Sequence, residues 1–122
     1  MPVFRDRVKE VSVSAPGTGD VTLPNSAATG GFQKFSTAFA VNDNFCYCIV
    51  DTANSLWETG YGYLTSSTNM VRGRVFDGSS GLVTAVNFTA QPLDVFCVAP
   101  AHFMEDVDTG ATLANSRGGA MP

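Results

Sequence analysis

Trp57-Glu58-Thr59-Gly60-Tyr61-Gly62-Tyr63, followed by Val71-Arg72-Gly73-Arg74-Val75-Phe76 and then Asp77-Gly78-Ser79-Ser80-Gly81, decides the fold class. Side chains on a strand alternate between its two faces, so Trp57, Thr59, Tyr61 and Tyr63 share one face and Gly60 and Gly62 thin the other. The stretch therefore reads as strand, strand, turn. An aromatic row of this kind is expected to form core or interface rather than a reactive centre.

The same reading extends in both directions. Val11 and Val13 form a short strand, Gly17-Thr18-Gly19-Asp20 supplies a turn, and Val21-Thr22-Leu23 completes a hairpin. Phe32, Phe35 and Phe39 sit at helical spacing while Phe35, Thr37 and Phe39 alternate, which predicts a strand with a bend or one helical turn. Phe45-Cys46-Tyr47-Cys48-Ile49-Val50 is apolar on both faces and belongs at the centre of a core or under a subunit contact. Strands are also expected at 82–88 and 93–99, separated by Gln91-Pro92. Seven to nine short strands and no long helix predict an all-β fold, an antiparallel β-sandwich or jelly-roll-like barrel with extended N- and C-terminal arms. The expected organisation is an N-terminal arm and strand entry at 1–10, the β-domain at 11–101, and a C-terminal arm or tail at 102–122. Removing residues 1–7, or the tail from Glu105, is expected to spare folding.

A chain of 122 residues makes one domain. Charged residues are 15% of it, against roughly 25% in ordinary soluble domains, so its surface is either rich in small polar residues or covered by partners. Seven Lys and Arg against eleven Asp and Glu argue against a nucleic-acid footprint. No apolar run approaches the roughly 20 residues that cross a bilayer, and the charges in Phe4-Arg5-Asp6-Arg7 interrupt any signal-peptide pattern, so the expected product is cytoplasmic at first and makes no membrane contact.

Candidate chemistry is thin. Cys46, Cys48, Cys97 and His102 could be drawn into a zinc site, but Cys46 and Cys48 lie within an apolar strand rather than on a turn, and buried free thiols are the expectation. His102, the single histidine, has no oriented nucleophile beside it in sequence. Glu105, Asp106 and Asp108 lack the spacing of a calcium loop. Asp51 and Glu58 bracket the one tryptophan and could serve as a carboxylate pair for sugar hydrolysis, although a short domain offers little cleft. No cofactor and no metal are expected. Arg72 and Arg74 are two residues apart and are expected to share a strand face, where their guanidinium forks could pair with carboxylates of a partner.

The ordered set Phe4-Arg5-Asp6-Arg7-Val8-Lys9-Glu10, Gly17-Thr18-Gly19-Asp20-Val21-Thr22-Leu23, Gly31-Phe32-Gln33-Lys34-Phe35, Cys48-Ile49-Val50-Asp51, Trp57 to Tyr63, and Val86-Asn87-Phe88 to Asp94-Val95-Phe96 resembles a small β-rich structural module of tailed bacteriophage virion proteins. The resemblance covers about 4–101, and the chain departs from the pattern at Met70-Val71-Arg72-Gly73-Arg74 and beyond His102. It implies a non-enzymatic virion protein assembled in the host bacterial cytoplasm. A head decoration or cement protein, bound to the major capsid protein or other virion proteins as a homo-oligomer (dimer or trimer), is the leading expectation. A tail fibre-anchoring or receptor-binding component is the alternative. The expected partner interface comprises Phe4, Arg5, Arg7, Phe45, Tyr47, Arg72, Arg74, His102 and Phe103.

Overall fold

The computed structural model describes residues 2–98. Six strands and one helical turn follow one another as β1 (Lys9–Ser12), β2 (Val21–Thr22), α1 (Phe35–Ala38), β3 (Phe45–Asp51), β4 (Leu56–Ser66), β5 (Asn69–Gly78) and β6 (Leu93–Cys97). They form a single antiparallel sheet in the order β1-β6-β3-β4-β5-β2, which curls into a nearly closed barrel. Where its two ends approach, the Ser12 hydroxyl on β1 donates to the Thr22 carbonyl on β2 at 2.7 Å. The expected all-β barrel is therefore present. The 82–88 segment, expected as a strand, is instead turns and irregular chain with one bridge, Phe88 to Gly17.

β3 lies between β4 and β6, so both of its edges are paired and its apolar residues are covered. Phe45, Tyr47 and Ile49 are fully buried on the inner face, and Cys46 is 1% exposed on the outer. Aromatic packing closes the inner face: the Phe39 and Phe45 rings stack at 4.5 Å, and Phe35 meets Phe45 at 5.3 Å. Phe35 and Phe39 reach the same core because the chain makes one helical turn there, as the i, i+4 spacing requires.

On β4 the aromatic row, expected as core or interface, is the outer face. Glu58, Gly60, Gly62 and Leu64 are the buried set, whereas Trp57 is 40% exposed and Thr59, Tyr61 and Tyr63 are half-buried on the outside. The cause is Tyr47. Its residue pairs with Gly60, and a Cβ added at Gly60 would stand 2.9 Å from the Tyr47 hydroxyl, while one at Gly62 would stand 3.0 Å from its ring. The two glycines thus make room for a neighbouring aromatic ring. Thinness on that face marks the inside of the barrel.

The N-terminal arm is laid against the body. Val3 N–H donates to Asn44 O (2.7 Å), the Arg5 Nη1 to Ala38 O (3.0 Å), and Gln33 N–H to Arg7 O (2.7 Å), and Val8 is 2% exposed. Residues 2–7 are therefore bonded along the barrel rather than extended away from it. Glu10, fully buried on β1, accepts from Ser26 N–H (3.1 Å) and Phe35 N–H (2.9 Å), tying the 24–34 loop and the start of α1 to the sheet. A buried carboxylate is tolerable only with such partners.

Candidate functional site

Among the described residues, the most chemically dense point is inside the barrel. Arg72 sits on β5 with its side chain 3% exposed, and Glu58 on β4 is fully buried. All five guanidinium N–H groups are engaged: Nε with Glu58 Oε2 (2.9 Å), Nη2 with Glu58 Oε1 and the Val86 carbonyl, and Nη1 with the carbonyls of Gly17 (2.9 Å) and Gly19 (3.2 Å). Glu58 is equally occupied, since Oε1 also accepts from Val86 N–H (2.8 Å) and Oε2 from the Tyr47 hydroxyl (2.6 Å). The Arg72 guanidinium also lies 5.3 Å from the Phe88 ring centroid. One ion pair thus joins β3, β4, β5, the 17–19 turn and the 86–88 segment.

The electrostatics fit a closed structural network. Burial, reinforced by the charge of Glu58 and the bond to it, pushes the Tyr47 phenol far above its ordinary value. For Arg72, burial alone would lower the pKa, but the hydrogen bonds and the charge of Glu58 carry the net shift upward. Tyr47 is thereby kept as a proton donor and Arg72 as a cation. Every lone pair that Glu58 can offer already has a donor on it.

The register explains why the two arginines part. Across the β4–β5 pair Arg72 faces Gly62 and Arg74 faces Tyr61, and the residue between them, Gly73, is bulged out of the ladder. The extra residue turns Arg72 to the inside and leaves Arg74 exposed on the outside, 5.3 Å from the Phe76 ring. Arg72, Phe45 and Tyr47 are therefore interior residues and not a partner surface. Their carboxylate partner is Glu58 of the same chain. Asp51, proposed as the second carboxylate of a hydrolytic pair, is 1% exposed and accepts from the backbone N–H (3.2 Å) and side-chain amide (2.9 Å) of Asn54 in the β3–β4 turn. Both members of that pair are committed to internal bonds.

The thiols are free. Register places Cys97 beside Tyr47 on the inner face, while Cys46 and Cys48 point outward, so the sheet separates them. Burial raises Cys46 and Cys48 to about 11 and Cys97 to about 12, which keeps them protonated near neutrality. Among the described residues, no group of three His, Cys, Asp or Glu side chains is placed to hold a metal ion, and no helix is long and apolar enough to cross a membrane. His102 and Phe103 lie outside the described residues.

Of the expected interface residues, Phe4, Arg5, Arg7 and Arg74 remain on the exterior, Phe4 with 45% exposure. The arm residues border two adjoining hollows, each of about 330 Å³. One is lined by Arg7, Val8, Lys9, Phe32, Phe96 and Cys97, the other by Phe4, Arg5, Asp6, Cys97 and Val98. The Arg7 guanidinium stacks 3.9 Å from the centroid of Phe32, and the Lys9 ammonium lies 5.3 Å from it. Lys9 and Phe32 are the surface residues that sequence reasoning missed. Their pairing depends on the 27–33 loop crossing β1 through the Val8–Gln33 and Glu10–Ala27 bridges, which no local pattern announces. Compared with family models, curated proteins and solved structures, the chain gives no match.

Proposed function

We propose that this protein is a non-enzymatic structural component of a tailed-bacteriophage particle, a capsid decoration or cement protein that binds the head exterior and stabilises joints between subunits. The particle role rests on the sequence resemblance, and the observation that supports its non-enzymatic part is the saturation of the Glu58–Arg72–Tyr47 network, whose acidic, basic and phenolic groups are all bonded internally and have nothing to offer a substrate. The exterior supports the same reading. It combines a cationic, aromatic arm with a half-exposed aromatic sheet face, a composition suited to contact with other proteins. Attachment would be additive, each copy contributing a modest interface that repetition over the shell multiplies. The partner is the major capsid protein or a neighbouring virion protein, and copies of the chain associate with one another as a dimer or trimer on the virion.

A second reading, a fibre-anchoring or receptor-binding tail component, is favoured by Trp57. The residue is 40% exposed, with Tyr61 and Tyr63 half-buried on the same outward face, an arrangement on which a glycan ring could stack. Incubating the purified chain with empty phage heads and, separately, with host cells distinguishes the two. A decoration protein saturates the heads in many copies and ignores the cells. Binding to cells with none to heads would reject the capsid role in favour of the tail role.

A further inference from the structure

We propose that the hollow between the arm and β6 is a docking site for the acidic stretch at 105–108 of this same chain, so that the C-terminal segment folds back over its own N-terminal arm. The two hollows meet at Cys97, and Val98, the last described residue, lines one of them, so the chain leaves the barrel at the mouth of the groove. Glu105 is seven residues beyond Val98. At roughly 3.3 Å per extended residue that is a reach of up to about 23 Å, and closing so short a loop carries a small entropic cost.

The chemistry of the groove suits carboxylates. Arg5, Arg7 and Lys9 border it, three of the chain's seven Lys and Arg residues, whereas Glu105, Asp106 and Asp108 fall within four positions of one another. Arg7 is held in place by stacking on Phe32 and by one bond from Nη2 to Gly30 O, which leaves Nε and Nη1 without an acceptor among the described residues. Two acidic groups already stand nearby. Asp6 lines the second hollow, and Asp94 lies 3.7 Å from Lys9 as a partly exposed pair. A pair of that kind is weak and exchangeable in solvent. Val107 lies between the acidic residues, and Phe32 with Phe96 gives the groove apolar walls that can receive it.

Carbodiimide cross-linking of the full chain, with peptide mapping, tests this directly, because Lys9 and Lys34 are its only lysines. The expected product joins Lys9 to Glu105, Asp106 or Asp108 within one chain, with Lys34 giving no such product. Its yield falls severalfold at high salt and in Arg7→Ala, while the Lys9–Asp94 product persists in that variant as the internal mark of an intact barrel. Three results would overturn the proposal: Lys9 linked to Asp94 alone, Lys34 reaching the acidic stretch as often as Lys9, or linkage between isotopically light and heavy chains in a mixture. The last would assign the groove to the acidic stretch of a second copy.

Discussion

Trp57 and Tyr47 illustrate how far a side chain's identity and its role can diverge. Both are large aromatics on adjacent strands, yet Tyr47 is fully buried and Trp57 is 40% exposed. Truncating a buried aromatic typically costs about 3–5 kcal/mol. Phe45→Ala, at a fully buried ring stacked on Phe39, is expected to fall in that range. Trp57→Ala is expected to cost less than about 2 kcal/mol, since much of its ring already faces water. Urea unfolding of the two variants side by side checks the assignment of faces, and a Trp57→Ala loss as large as that of Phe45→Ala would reverse it. The alternation 57-59-61-63 was legible in the sequence; which face was inner was not. That choice rests on whether a neighbouring strand carries a ring to fill the space over Gly60 and Gly62, which is a matter of register and not of local pattern.

At the level of elements, the β4–β5 hairpin carries most of the fold's individuality. Its ladder shifts register at three places, and the bulge at Gly73 sends Arg72 inward and Arg74 outward. Period-two reasoning put both on one face because a bulge adds a residue without altering the apparent alternation. The glycine between the arginines was the available signal. Gly60 has a different constraint: a Cβ there would lie 2.2 Å from the Arg74 carbonyl oxygen, a backbone atom that cannot rotate away. Gly60→Ala is expected to destabilise by about 3 kcal/mol or more, at or above the upper end of ordinary overpacking penalties. Gly81→Ala is the informative comparison, since an added Cβ there meets nothing within 4 Å and only its φ of 101° opposes the change. Thermal unfolding of both should show the larger loss at Gly60, and equal losses would mean that backbone conformation rather than close approach sets the requirement.

Over the whole molecule, a chain with few charges places the best-bonded of those among the described residues inside the barrel. The all-β class and the doubly buried β3 were readable from alternation and turn residues, and the Phe35/Phe39 spacing offered the helical turn as one of two readings, but seven to nine strands were expected where the described residues form six. The Glu58–Arg72 pair was not readable, because it joins residues on different strands and takes its remaining partners from Tyr47 on a third strand, the 17–19 turn and Val86. Its removal from one side leaves a buried charge without its counter-ion, an effect worth roughly 3–5 kcal/mol, whereas removing both charges together is far milder. This asymmetry is the mark of two desolvated charges that neutralise each other.

The decisive measurement is a double-mutant cycle by urea unfolding on Glu58→Gln, Arg72→Met and the two combined. If the network is what fastens the barrel, each single variant loses about 3–5 kcal/mol and the pair couples by about 2 kcal/mol or more, the double variant being more stable than the sum of the single losses allows. Single variants within about 0.5 kcal/mol of the parent, with no coupling between them, would contradict the claim that these interior charges serve the fold.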